Sequence, residues 1–191
     1  MVSRGSASIR VPAFDPRATI TPLTRLLAAL RSLLYASGFV LLWWWVVVSV
    51  RPFDLRIPFA LPEWLRIPGV ILIVGGAVLA LWCLAAFAFE GTGTPAPFDA
   101  PRKVVVTGPY RYVRNPMYLG AMLIILGVAL LLRSPSAAGV AVFFITLAHL
   151  FVLVYEEPVL GARFGESYSE YKRSVNRWLP RAPQDSDRAL Q

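Results

Sequence analysis

Four stretches of this chain run without a charged residue for long enough to suggest membrane spans: 32–50, 68–89, 115–132 and 134–155. A helix needs about 20 apolar residues to cross a bilayer core, so the second and fourth fit comfortably and the first is just sufficient. The third is short and must tilt, thin the bilayer or sit toward one face. Between the first two, residues 53–68 combine Pro58, Pro62 and Pro68 with Asp54, Arg56, Glu63 and Arg66, which opposes a regular helix there. The link Arg133-Ser134-Pro135-Ser136 is too short for anything but a tight helical hairpin, so the third and fourth spans should run antiparallel. Beyond them, Leu160, Phe164, Tyr168, Tyr171, Val175 and Trp178 recur at intervals of three or four, the pattern of an amphipathic helix over 159–178 that Pro180 ends. The predicted fold class is all-α: an integral membrane helical bundle with about four transmembrane helices and a C-terminal amphipathic helix.

Composition supports this reading. Of 191 residues, 57% are hydrophobic, and the mean hydropathy is +0.59, outside the range of soluble domains. The net charge of +8 would suit nucleic acid were it gathered in one soluble domain, but it is not. With four spans, the N-terminal arm, the middle connection and the tail share one face and carry 15 basic residues, against 4 on the other. That asymmetry predicts both termini in the cytoplasm and attributes the basic excess to topology and lipid headgroups. No nucleic-acid partner is expected. Cys83 is the lone cysteine, which excludes an intrachain disulfide, and no metal site is assigned. The chain reads as a single domain over 1–191, with a flexible basic arm over 1–26.

Polar residues concentrate where the third span opens and the fourth closes. The segment Gly108-Pro109-Tyr110-Arg111-Tyr112-Val113-Arg114-Asn115-Pro116 places Asn115 at the expected N-cap with Pro116 at the first helical position. Free backbone N–H groups there, beside Arg111 and Arg114, make a ready site for an anion. Gly120 removes side-chain bulk one turn in. In the fourth span, at 100° per residue, Thr146 and Glu156 fall about 60° and 20° from His149, with Glu157 about 80° away. A histidine in hydrocarbon is expensive, so His149 should face the bundle interior. The hairpin sets Glu156 and Glu157 against the two arginines, and the Gly91-Thr92-Gly93 loop permits close backbone approach. Taken alone, these residues describe a site for a ligand of mixed charge.

From about residue 91 to residue 181 the chain resembles the membrane methyltransferases that include isoprenylcysteine carboxyl methyltransferases and phospholipid N-methyltransferases. The Gly-Pro-Tyr-Arg-Tyr-Val-Arg-x-Pro-x-Tyr segment and Phe164-Gly165 with Tyr168 and Tyr171 are similar to the first branch. Asn115-Pro116-Met117-Tyr118, Ser134-Pro135 and Tyr155-Glu156-Glu157-Pro158 are similar to the second, in which a Gly-x-Gly motif and a Glu-Glu pair are cofactor-binding signatures. The isoprenylcysteine branch usually has histidine where this chain has Asn115. The resemblance implies S-adenosyl-L-methionine as cofactor, bound by Gly91, Gly93, Asn115, Tyr118, Gly120, His149, Glu156 and Glu157 within a cofactor-binding half over 90–181. Arg111 and Arg114 are the implied catalytic residues.

The implied partners are a lipophilic small-molecule or prenylated substrate and membrane lipid, at an active site on the cytoplasmic face. The function expected is O-methylation of an isoprenylcysteine-type carboxylate, with N-methylation of a phospholipid amine as the alternative. Outside enzymes, a small membrane transporter or accessory subunit would also be hydrophobic. A transporter, however, should carry polar residues near the bilayer midplane rather than at one end.

Overall fold

The computed structural model describes residues 22–90, 104 and 106–181. Helices α1 (Pro22–Val50), α2 (Arg66–Glu90), α3 (Pro116–Leu131) and α4 (Pro135–Phe151) form the bundle. A π-helical turn, Val152–Glu156, carries α4 into α5 (Glu157–Phe164), and α6 (Glu166–Ser174) follows. The described residues contain helices and connecting turns and no strand. Three stretches are long and apolar enough to cross a membrane: Ser37–Arg56, Glu63–Ala86 and Pro135–Phe164. The fourth apolar helix, α3, has 16 residues, about 24 Å at 1.5 Å per residue, less than the roughly 30 Å hydrocarbon layer.

That short helix packs on α2 to one side and on α4 to the other, while α1 packs mainly on α4. Glycine sets the contact with α2. A methyl group placed at Gly76 would lie 2.6 Å from the Gly120 carbonyl oxygen, and one at Gly127 would lie 2.6 Å from the Gly69 carbonyl oxygen. Both pairs are seven residues, about two turns, apart on their helices and run in opposite order, so backbone meets backbone twice along one antiparallel seam. Gly75, next to Gly76, faces open space and takes no part. On its other side α3 buries Ile125 and Ala129 with Ala137, Val140, Ala141 and Phe144 of α4 and Val47 of α1. Trp43 stands edge-on to Phe144, ring centroids 4.8 Å apart, whereas Trp44 and Trp45 are exposed, as three successive tryptophans on one helix require.

At one end of the bundle the α1–α2 connection folds into two short 3-10 turns, Arg51–Arg56 and Glu63–Leu65. It is tied to the α3–α4 hairpin: Asp54 Oδ1 accepts from the Ser136 amide at 2.9 Å, and Arg133 Nε donates to the Leu61 carbonyl at 2.7 Å. Ser134 caps α4, its hydroxyl accepting from the Ala137 amide at 3.1 Å.

The amphipathic helix expected over 159–178 is divided and shorter. Gly165, at φ +55°, breaks it between α5 and α6, and α6 ends at Ser174 rather than at Pro180. Only a residue without Cβ enters that backbone region at no steric cost, so the break is written into Gly165. The apolar face survives the break: Tyr168, Tyr171 and Val175 are buried with Leu160 and Phe164 against Val104 and Val106.

Candidate functional site

Opposite the hairpin, the turn before α3, the end of α4 and the C-terminal segment come together. The turn Gly108–Arg111 starts at φ +55°, a conformation that favours glycine, and a methyl group placed at Gly108 would lie 3.1 Å from Trp82 Nε1 and 3.3 Å from Ala86 Cβ of α2. Tyr171 then donates its hydroxyl to the Tyr110 carbonyl at 2.8 Å, fastening α6 over the turn. After α6 the chain runs antiparallel to 112–115. The Arg114 amide donates to the Asn176 carbonyl and the Arg181 amide to the Tyr112 carbonyl, both at 2.9 Å. Asn115 occupies the N-cap position with Pro116 following, as the sequence predicts, but its side chain caps nothing. It donates instead to the Arg177 carbonyl at 3.2 Å, because the incoming tail offers a buried acceptor that must be satisfied.

The charged groups gather around Glu157. Arg177 grips its carboxylate with both arms of the guanidinium, Nε to Oε1 at 2.7 Å and Nη2 to Oε2 at 2.9 Å. Arg114 Nη1 lies 3.0 Å from Oε1, at an angle too poor for a hydrogen bond. Only 11% of the Glu157 side chain and 10% of the Arg114 side chain are exposed. Arg114 Nε is buried with no acceptor among the described residues. Hydrogen bonding to Glu157 raises Arg177 above the ordinary arginine pKa, and burial lifts the Tyr168 phenol to about 12, so both keep their protons at neutral pH.

Glu156 has a different environment. Its Oε2 accepts from the Tyr118 hydroxyl at 3.0 Å, and among the described residues no cation bridges it. Trp178 stands edge-on to Tyr118, ring centroids 6.4 Å apart, and donates its indole N–H to His149 Nδ1 at 2.9 Å. Indole nitrogen can only donate, so Nδ1 must be the bare nitrogen of that ring. A wall therefore runs from His149 through Trp178 and Tyr118 to Glu156.

Of the residues singled out in the sequence, Arg114, Asn115, Tyr118, His149, Glu156 and Glu157 meet here. Arg111 sits in the preceding turn, half-buried, with no ion pair among the described residues. Gly120 faces α2, against Gly76 and Ala80, where its missing side chain serves the helix seam. Gly91 and Gly93 lie outside the described residues. Thr146 does not share the stripe: it is exposed and its hydroxyl bonds back to the Val142 carbonyl at 2.9 Å. The buried line of α4 runs through Ala141, Phe144 and Ala148 into Val152 of the π turn, which leaves Thr146 on the far side. The π turn also adds a residue between His149 and the glutamates, so a phase of 100° per residue fails across it.

Sequence reasoning missed Arg177 altogether and counted Trp178 as one more position of an amphipathic face. No local signal distinguished Arg177 from the other tail cations. The mark available for Trp178 was its place beside Leu179-Pro180, where a helix must already have ended.

The human phosphatidylethanolamine N-methyltransferase is 32% identical over 108 residues, which cover 56% of this chain and 54% of that enzyme, so the chain spans about half its length. A probable protein-S-isoprenylcysteine O-methyltransferase of Oryza sativa subsp. indica is 24% identical over 184 residues, 94% of this chain and 91% of the relative. An uncharacterised Haemophilus influenzae protein is 38% identical over 63 residues, 33% of this chain and all of that one. No solved structure matches. The model of the phospholipid methyltransferase family matches residues 64–167, more than half of the chain and every element of the site up to Glu157. The chain therefore belongs to the phospholipid methyltransferase family of membrane methyltransferases.

Proposed function

We propose that this protein uses S-adenosyl-L-methionine to methylate a lipophilic acceptor at the cytoplasmic membrane surface, and that the acceptor is an isoprenylcysteine-type carboxylate. The observation that carries this reading is the uneven charge of the site. Among the described residues, Glu157 is held by two arginines, Arg114 keeps a buried donor with no acceptor, Glu156 has only a phenol for a partner, and Arg111 has no ion pair. Such a set fits a ligand carrying both a carboxylate and a cationic centre. Arg114 would take the cofactor carboxylate and Glu156 its amine, with Tyr118 and Asn115 fixing the surroundings and Gly91 and Gly93, by resemblance, approaching the nucleoside.

When bound, the cofactor supplies an electrophilic methyl group, so the protein need only align the acceptor and exclude water. Arg111 orients the incoming carboxylate. Trp178, Tyr118 and His149 shield the reacting atoms, and a dry site favours the merging of opposite charges. A carboxylate acceptor releases no proton on methylation, which suits a site in which Arg177 holds Glu157 and the cofactor amine would take up Glu156. The basic excess on this face supports a cytoplasmic location, where the cofactor is made available.

A second reading, N-methylation of a phospholipid amine, is favoured by the family match and the human relative. It requires a proton acceptor, and Glu156 is the carboxylate at liberty to serve.

The test is to incubate the protein in nanodiscs with methyl-labelled donor and either a farnesylated cysteine or phosphatidylethanolamine. The proposal expects label in the prenylcysteine, released as methanol by alkali. Alkali-stable label confined to the phospholipid would replace it with the second reading. Arg111→Ala should raise the acceptor KM roughly tenfold while donor affinity, read by calorimetry, is unchanged.

A further inference from the structure

We infer that residues 175–181 are a strap that completes the site, and that Glu157 is a positioning residue holding this strap through Arg177 rather than a ligand for the cofactor. The inference rests on the reading of the site given above, and it separates two adjacent glutamates that the sequence presents as one pair.

Beyond Ser174 the strap has no helix of its own. Val175 still bonds to Tyr171 through its amide and packs with Leu160 and Phe164, but among the described residues the other hydrogen bonds of the strap run to the site: the Asn176 carbonyl on the Arg114 amide, the Arg177 carbonyl on Asn115, the Arg181 amide on the Tyr112 carbonyl, and the Trp178 indole on His149. Glu157 gives both carboxylate oxygens to the Arg177 guanidinium at 2.7 and 2.9 Å. Arg177 takes one lone pair of each oxygen, Arg114 stands 3.0 Å from Oε1, and only 11% of the side chain is exposed, which leaves a cofactor group little approach to Glu157. The arrangement also constrains Arg114, whose backbone amide is held by the strap while its guanidinium lies beside Glu157. Glu157, Arg177 and Trp178 thus fix where the free donor of Arg114 sits. The neighbouring Glu156, bonded to Tyr118 alone among the described residues, keeps an oxygen available. The family match stops at residue 167, so Arg177 and Trp178 lie beyond it, and the strap is identified by its contacts alone.

The test uses the full chain in nanodiscs, with two readouts per variant: hydrogen exchange of the amides of Arg114 and Arg181, and calorimetric affinity for S-adenosylmethionine. Glu157→Gln and Arg177→Gln should each speed exchange at both amides and weaken the donor about tenfold or more. The double variant should be no weaker than the worse single one, because both remove the same link. Arg177→Lys keeps the charge but not the fork, and should recover part of the loss. Trp178→Phe keeps the ring without the N–H and gives a milder version of the same pair of effects, which covers the case in which Glu157→Gln fails to fold. Glu156→Gln should weaken the donor with exchange unchanged. Donor loss in Glu157→Gln with native exchange, or losses that multiply in the double variant, would overturn the inference. A wild-type protein that binds no donor would instead defeat the functional reading, and exchange would still decide whether the strap hangs on Glu157.

Discussion

The two ends of the bundle both bury polar groups, and they handle them in opposite ways. At the hairpin end the polar groups that tie the two connections together serve backbone: Ser134 caps α4, Asp54 receives the Ser136 amide, and Arg133 reaches the Leu61 carbonyl. At the site end charges meet charges across long sequence separations, and they do not come out even. Among the described residues Arg114 keeps an idle buried donor, and Glu156 has a single phenolic partner. An end that must only close a fold can match donor to acceptor one for one. An end that must take in a charged molecule has to leave charged groups over, at a cost the rest of the bundle offsets.

The most damaging way to probe that contrast is Glu157→Ala. It strands two guanidinium groups in a largely buried cluster and should cost about 3–5 kcal/mol of stability, read as a large drop in thermal midpoint in detergent. A loss no greater than that of a surface substitution would mean the cluster is well solvated and the contrast between the ends is overstated.

Next in size are Gly120→Ala and Gly127→Ala, which push a methyl group into the α2 backbone at two points along one seam. Each should cost about 1–3 kcal/mol, measured in the same melts. Donor affinity per folded molecule should be unaffected in both. If Gly120→Ala alone weakened the donor, Gly120 would have a task at the site beyond helix packing.

The smallest effect belongs to the hairpin end. Asp54→Ala removes an acceptor from the start of α4 and should cost about 0.5–2 kcal/mol, with donor affinity unchanged. A change in donor affinity there would show that the two ends are coupled through α3 and α4.

Much of this architecture was legible beforehand because hydrophobic runs and short links leave little choice. The hairpin at Arg133–Ser136 obliged α3 and α4 to run antiparallel, and that brought Glu156 and Glu157 to the arginines. The α2–α3 seam was less visible, since Gly75 and Gly76 are equivalent in sequence and only the rotation of α2 shows which one meets Gly120. Thr146 was misplaced for a related reason. A single polar residue does not say which side of α4 faces its neighbours, and the helix satisfied that hydroxyl internally.

What the sequence determined by itself was set by local chemistry: apolar length, chain reversals and the family signatures of the site. Only the tertiary structure decided how the charges are shared, because pairing depends on helix rotation and on where a helix-free tail comes to rest. The π turn at Val152–Glu156 changes the first, and the docking of Arg177 and Trp178 supplies the second. Neither leaves a periodic trace along the chain: the π turn shifts the helical phase, and the docking is made by contacts between residues 20 or more positions apart.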